Sequence, residues 1–122
     1  MSKKVLIVED DPKNMKLAVM ILKSRGYELL CAVDGEEAVH TAFNEKPDII
    51  LMDMQLPKIS GIDATKQIRE HPDFVKIPIL ALTAYAMKGD EDKYIDAGCT
   101  DYMSKPINTR ELPVKIAELL GE

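Results

Sequence analysis

The sequence predicts an α/β protein, a doubly wound (βα)5 sandwich with a central parallel sheet of five strands. Two kinds of segment alternate five times along its 122 residues. Short apolar runs are typical of buried parallel strands, and apolar residues at positions i, i+3, i+4 and i+7 indicate amphipathic helices. Right-handed crossovers then place helices on both faces of the sheet. The length suits a single domain over residues 1–122.

The apolar runs that predict strands are residues 5–8, 28–33, 49–52, 79–82 and, shorter and more polar, 101–104. Helical spacing fills the intervals between them. The first helix ends at Gly26, and the second begins at Asp34, where Glu37 three residues later completes a capping box. The third and fourth helices span about 62–70 and 87–97, and Pro113 falls in the first turn of the last helix.

Charge and composition exclude several classes of protein. The formal net charge of -5 disfavours binding to nucleic acid and to anionic membranes. The apolar runs are too short for membrane insertion, and the N-terminus lacks a signal-peptide core, so we expect a cytoplasmic protein. Cys31 and Cys99 lack CxxC spacing, and His40 and His71 lack partners at metal-ligand spacing, so we expect reduced cysteines and surface histidines.

Acidic residues follow two of the predicted strands. Asp53 ends the apolar run 49–52, and Glu9-Asp10 ends the run 5–8. A carboxylate at the end of a buried strand is costly unless a ligand uses it, and ligands of open α/β sheets bind beyond the carboxyl ends of the strands. The fourth and fifth strands end at Thr83 and Lys105. We therefore expect all these side chains to face one crevice.

This crevice has the composition of a magnesium site for phosphoryl transfer. Three carboxylates packed together repel one another, and Mg²⁺ with one lysine ammonium supplies three positive charges to match them. Mg²⁺ prefers oxygen ligands in an octahedron. Asp10, Asp53, a backbone carbonyl and a phosphate oxygen of the substrate would satisfy it.

The same residues carry a resemblance to a known family. The chain resembles, over its whole length, the receiver domain of two-component response regulators, the CheY-like family with a flavodoxin-like fold. The matching residues are Glu9-Asp10, Asp53 within Leu51-Met52-Asp53-Met54-Gln55-Leu56-Pro57, Gly61, Thr83-Ala84 and Lys105-Pro106. The resemblance implies phosphorylation of Asp53 by a phosphohistidine on a sensor histidine kinase or a histidine phosphotransferase. Such a protein is not an enzyme beyond catalysing its own phosphorylation and dephosphorylation.

The resemblance also implies the roles of the other site residues. Asp10 binds Mg²⁺ directly and Glu9 binds it through water, while Gln55 contributes its main-chain carbonyl and Asp53 a carboxylate oxygen; Mn²⁺ can substitute. Lys105 and the Thr83 hydroxyl neutralise the phosphoryl oxygens, as phosphoryl transfer requires. A cis Lys105-Pro106 bond, which proline makes accessible, directs the lysine inward.

A conformational switch is implied by the same resemblance. Thr83 moves to bond the phosphoryl group, and Tyr102 turns inward to fill the vacated space. This changes the face of the fourth helix, fifth strand and fifth helix, which we expect to include Tyr94 and to bind a downstream protein. Tyr85, Met87 and Lys88 are further candidates for a partner surface. We expect a monomer or a weak dimer.

Several alternatives remain open within and outside the family. The segments 83–90 and 14–17 are similar to DivK-type single-domain regulators and to receivers of hybrid histidine kinases, and a phosphorelay shuttle is a close variant. With the chain ending at Glu122, we expect no attached DNA-binding domain. An aspartate-nucleophile phosphatase of the haloacid-dehalogenase type needs a second carboxylate where Gln55 stands. A flavodoxin-like cofactor binder needs a glycine-rich loop after the first strand, where Glu9-Asp10-Asp11 lies.

Overall fold

The computed structural model describes residues 2–84 and 90–122, and within them five strands alternate with five α-helices as the sequence predicts. The elements are β1 (Lys4–Val8), α1 (Pro12–Lys23), β2 (Glu28–Ala32), α2 (Gly35–Glu45), β3 (Ile49–Asp53), α3 (Gly61–Glu70), β4 (Ile79–Thr83), α4 (Asp90–Ala97), β5 (Asp101–Ser104) and α5 (Glu111–Leu120). A short 3-10 helix, Pro72–Phe74, follows α3 and was not predicted. None of the helices described is long and apolar enough to span a membrane.

The five strands form one parallel sheet in the order β2-β1-β3-β4-β5. The chain therefore moves outward from β1 to β2 and then returns to β3 on the other side of β1. This reversal opens a crevice at the carboxyl ends of β1 and β3. Val8 pairs with Met52, so the next residues along the two strands, Glu9 and Asp53, emerge side by side. The predicted doubly wound fold is confirmed.

Two hydrophobic clusters cover the two faces of the sheet. Strand residues alternate between them: Leu6 and Ile50 belong to the cluster that includes helical residues of α2, α3 and α4, whereas Val5 and Leu51 belong to the cluster with α1 and α5. All four side chains are essentially fully buried. Near-continuous apolar strands are required because both faces are covered by helices.

Side-chain caps set the helix starts. Asp34 accepts a hydrogen bond from the Glu37 amide at 2.7 Å, as predicted. Helix α3 begins one residue earlier than predicted because Ser60 caps it. Asn108 Oδ1 accepts hydrogen bonds from the amides of residues 110 and 111 at the start of α5, so Pro113 lies within an already capped first turn. The predicted fourth helix began at residue 87; residues 85–89 lie outside the described part, and α4 is described from Asp90.

The loop after β3 packs against the end of that strand. The Gly61 amide donates to the Met54 carbonyl at 3.2 Å. A Cβ atom on Gly61 would lie 2.2 Å from the Asp53 carbonyl oxygen. Only glycine permits this approach. The start of α3 is thereby fixed directly beside Asp53.

Both histidines are exposed at the surface, as predicted. Cys31 is exposed, Cys99 is buried, and both are free thiols. His40 contacts the Asn44 amide at 2.9 Å, and the exposed His71 ring packs against Phe74 with the ring centres 5.3 Å apart. Neither histidine belongs to a metal-binding cluster among the residues described.

Candidate functional site

The candidate site lies at the carboxyl end of the sheet. Glu9 and Asp10 follow β1, Asp53 and Thr83 are the last residues of β3 and β4, and Lys105 follows β5. Glu9, Asp53 and Thr83 are 2%, 1% and 0% exposed, whereas Asp10 is exposed. Buried carboxylates need charged or hydrogen-bonding partners, and the surrounding contacts provide them.

Lys105 joins the two buried acids. Its Nζ atom lies 2.8 Å from Asp53 Oδ2 and 3.2 Å from Glu9 Oε1. Its amide donates to the Thr83 carbonyl at 2.8 Å, and the Lys105-Pro106 peptide bond is cis. Burial alone would lower the pKa of Lys105, but the hydrogen bond and charge of Asp53, together with Glu9, outweigh it and raise the pKa. The ammonium therefore stays protonated between the two carboxylates.

Only one of the two carboxylate oxygens of Glu9 accepts a hydrogen bond among the residues described. Its Oε2 accepts a hydrogen bond from the Asp11 amide at 3.2 Å. Its buried Oε1 has no hydrogen bond in the described part of the chain, although the Lys105 ammonium lies 3.2 Å away. Burial, followed by the proximity of Asp53, raises the pKa of Glu9 to about 7. A cation beside Oε1 would relieve this cost.

One carboxylate oxygen from each of Glu9, Asp10 and Asp53 lies within 4.8 Å of the other two. No second cluster of this kind occurs in residues 2–84 and 90–122. An oxygen-only donor set suits a hard divalent cation. The unsatisfied Glu9 oxygen also fits such a cation, so these three side chains can hold a metal ion.

Gln55 contacts the site in a way that the sequence did not predict. Its amide donates to Asp53 Oδ1 at 2.9 Å, so both carboxylate oxygens of Asp53 have fixed partners. Its side chain accepts a hydrogen bond from the Ala84 amide at 3.3 Å and donates to Thr83 Oγ1 at 3.4 Å. We expected only the main-chain carbonyl to contribute. A single polar residue in a loop carries no periodicity from which the direction of its side chain could be predicted.

Tyr94 is not on an exposed face, contrary to the prediction. It is 3% exposed, and its hydroxyl oxygen lies 2.7 Å from Thr83 Oγ1. Tyr94 and Ala97, three residues apart on α4, are both buried. That spacing was the signal that could have placed Tyr94 inside.

Tyr102 is half-buried on β5 and donates its hydroxyl to the Glu91 carboxylate on α4. This hydrogen bond, followed by partial burial and the nearby acids, raises the pKa of Tyr102. The other surface candidates, Tyr85, Met87 and Lys88, lie outside the described residues.

Comparison with known proteins identifies the family. The model of the response regulator receiver domain matches residues 5–117. The chain belongs to this family. This receiver domain is 43% identical over 122 residues to the polar-differentiation response regulator DivK of Brucella anthropi, covering 100% of this chain and 99% of the relative.

Solved structures support the same assignment. One is the receiver domain of a sensor histidine kinase from Pseudomonas aeruginosa, described with magnesium coordinated in its active-site cleft (TM-score 0.92, 37% identity, 100% of both chains). Another is the chemotaxis response regulator CheY4 of Vibrio cholerae (TM-score 0.93, 28% identity, 98% of this receiver and 99% of that chain). The predicted family and CheY-like fold are confirmed.

The raised pKa of Glu9 predicts a pH-dependent stability of the metal-free receiver. The folded protein binds an extra proton between pH 4.5 and about 7. The stability that this proton contributes is present below pH 4.5 and is lost as the pH rises through about 7. We expect the free energy of unfolding of the wild type, measured with urea in the presence of a metal chelator, to fall between pH 4.5 and about 7. Relative to Glu9→Gln, the fall should be on the order of 1–3 kcal/mol.

The matched control for this measurement is Glu70→Gln, which removes an exposed carboxylate at the end of α3. This variant should keep the pH dependence of the wild type. Parallel curves for wild type and Glu9→Gln would show that Glu9 ionises as an ordinary surface acid and would contradict the prediction.

Proposed function

We propose that this receiver accepts a phosphoryl group on Asp53 from a phosphohistidine of a sensor histidine kinase or histidine phosphotransferase, using Mg²⁺. The observation that supports this most strongly is the environment of the Asp53 carboxylate. It is buried at the end of β3, one oxygen accepts from the Gln55 amide, and the other lies 2.8 Å from the Lys105 ammonium. A carboxylate held in this way is pre-oriented for in-line attack.

The proposed reaction is a phosphoryl transfer between side chains. An Asp53 oxygen attacks phosphorus, the phosphorus–nitrogen bond breaks, and the electron pair leaves with the imidazole, giving an acyl phosphate. Lys105 and the Thr83 hydroxyl neutralise the phosphoryl oxygens. The chain turns over no external substrate and would catalyse only its own phosphorylation and dephosphorylation.

The proposed cofactor is Mg²⁺, with Mn²⁺ as a substitute. Asp10, Asp53 and the Gln55 main-chain carbonyl would bind the ion, and Glu9 would bind it through water. When bound, the ion supplies positive charge to the phosphoryl oxygens. The carboxylate cluster of residues 9, 10 and 53 and the magnesium described in the related kinase receiver support this assignment.

We further propose that the signal leaves through a protein partner on the face of α4, β5 and α5. Thr83 and Tyr102 would act as the switch, and both contact α4. The net charge of -5 disfavours nucleic acid as the target. We propose a cytoplasmic protein that is a monomer or weak dimer and acts as one receiver domain over residues 1–122.

Two alternatives differ in how the phosphoryl group is used. The similarity to DivK along the whole chain favours a single-domain regulator over a phosphorelay shuttle. The 37% identity to the receiver domain of a sensor histidine kinase supports the other alternative, a receiver from a hybrid histidine kinase. An aspartate-nucleophile phosphatase is disfavoured because Gln55 has an amide, which cannot act as a general acid or base.

Phosphorylation at Asp53 is the first test. Incubation with acetyl phosphate and Mg²⁺ should add one phosphoryl group to the wild type, and Asp53→Asn should abolish the adduct because an amide is a poor nucleophile. Intact mass spectrometry measures the yield. Asp73→Asn, at an exposed aspartate in the 3-10 helix, is the matched control and should be phosphorylated like the wild type. An undiminished adduct in Asp53→Asn would overturn the assignment.

Metal binding is the second test. Asp10→Asn keeps the size of the side chain but removes one carboxylate, so Mg²⁺ affinity should fall by roughly tenfold or more and phosphorylation should slow. Calorimetric or NMR titration measures the affinity. The neighbouring Asp11 caps α1, and Asp11→Asn preserves that cap, so this control should bind Mg²⁺ normally. Equal affinities in the two variants would contradict the proposed role of Asp10.

Communication from the site to the surface is the third test. Beryllofluoride with Mg²⁺ should shift NMR resonances of β5 and α5 as well as those around Asp53. Thr83→Ala should retain the local shifts and lose the distant ones, because it removes the hydroxyl that joins the two. Thr41→Ala, on α2, should behave like the wild type. Shifts confined to the active-site loops of the wild type would indicate a passive phosphate carrier.

A further inference from the structure

Helix α4 contacts both proposed switch side chains. The Tyr94 hydroxyl lies 2.7 Å from Thr83 Oγ1, and both residues are buried. One turn earlier, the Glu91 carboxylate accepts a hydrogen bond from the Tyr102 hydroxyl. Residues three apart lie on the same face of a helix, so a single face of α4 presents both partners to the sheet.

We propose that this face of α4 is a latch that holds both switch side chains in their unphosphorylated positions. Tyr94 would retain the Thr83 hydroxyl, and Glu91 would retain the Tyr102 hydroxyl. The inference rests on the proposed function and adds two positioning residues to it. Neither Tyr94 nor Glu91 would touch the phosphoryl group.

The geometry around Thr83 makes the two positions of its hydroxyl compete. Thr83 follows Ala81 by two residues on β4, so its side chain lies on the sheet face that Ala81 shares with Tyr94. Asp53 instead ends the neighbouring strand β3. At 2.7 Å the contact with Tyr94 is already at the most favourable separation for two hydroxyls. Moving the Thr83 hydroxyl toward Asp53 therefore weakens its bond to Tyr94.

The far end of α4 is fixed to the rest of the fold. Arg69 on α3 donates from Nε to the Gly98 carbonyl at 2.8 Å and from Nη1 to the Phe74 carbonyl at 2.7 Å. Gly98 directly follows the last residue of α4. The helix is thus anchored at its carboxyl end, and release of the latch would leave that end as a pivot.

A latch on the unphosphorylated form sets the balance between two states. Thr83 must leave Tyr94 before it can bind a phosphoryl group, so only the unlatched molecules bind a phosphoryl mimic fully. The apparent affinity for the mimic is therefore the intrinsic affinity multiplied by the unlatched fraction. Loss of one hydrogen bond in the latch should raise that affinity. The effect of a single such bond corresponds to a change of about two- to tenfold.

Tyr94→Phe is the direct experiment because it removes the hydroxyl and keeps the ring. Beryllofluoride titrated in the presence of Mg²⁺ should bind this variant about two- to tenfold more tightly than the wild type. Tyr27→Phe is the matched control. Tyr27 directly precedes β2, at the end of the sheet opposite the site, and its hydroxyl donates to Glu122 at 2.8 Å. The control should bind beryllofluoride like the wild type. Unchanged or weaker binding by Tyr94→Phe would overturn the latch.

A double substitution tests whether Tyr94 acts through Thr83. In a Thr83→Ala background, Tyr94→Phe should no longer change beryllofluoride affinity, because the contact has already been lost. An enhancement that persists in this background would mean that Tyr94 acts by another route. That result would contradict the proposal even if the single variant bound more tightly.

Glu91→Gln tests the other half of the latch and remains informative if Tyr94→Phe fails to fold. Weakening the bond to Tyr102 should move the ring resonances of Tyr102 toward their beryllofluoride-bound positions without any mimic present. Asp96→Asn, at another exposed acid of α4 that does not act on Tyr102, is the control and should leave them in place. Unmoved resonances in Glu91→Gln would overturn the role of Glu91.

The wild type separates failure of the latch from failure of the proposed function. If wild-type protein neither binds beryllofluoride nor becomes phosphorylated on Asp53, the proposed function fails and the latch fails with it. If wild-type protein does both while Tyr94→Phe matches it in affinity, the latch alone is wrong.

Discussion

The interaction on which the rest of the site depends is the contact of one lysine ammonium with two buried carboxylates. Lys105 reaches Asp53 and Glu9 at 2.8 and 3.2 Å, and both acids are almost completely removed from water. Burial, followed by the hydrogen bond and charge of Asp53, raises the pKa of Glu9. One positive charge also cannot balance two buried carboxylates and the adjacent Asp10. The cluster therefore carries excess negative charge, and a divalent cation held by Glu9, Asp10 and Asp53 would balance it.

Thr83 connects this charged cluster to α4. Its backbone carbonyl binds the Lys105 amide, and its hydroxyl contacts both Gln55 and Tyr94. A displacement of Thr83 would therefore change its contacts with the loop after β3 and with α4 together. The proposed switch needs a group with two arrangements, and the Thr83 hydroxyl, which lies between Gln55 and Tyr94, would be that group.

The sequence predicted most of the fold and the location of the site because those features repeat in simple patterns. Alternating apolar runs and helical spacing gave all five strands, and the acids at the ends of β1 and β3 indicated the crevice. The interior position of Tyr94 was missed because its helix is short and mostly charged, which hides the buried face. The contact between Gln55 and Thr83, 28 residues apart, has no local signal at all.

The sequence by itself therefore determined the parallel α/β architecture and the residues available for chemistry, because these follow from periodicity and from the types of residue at strand ends. Its motifs also carried the resemblance to the family. The tertiary structure decided which acid is buried and which is exposed, that Lys105 lies between Asp53 and Glu9, and that α4 contacts Thr83. Burial and pairing arise from packing between distant segments, and such packing shifts a pKa or fixes a hydroxyl over distances of a few ångströms that no linear pattern records.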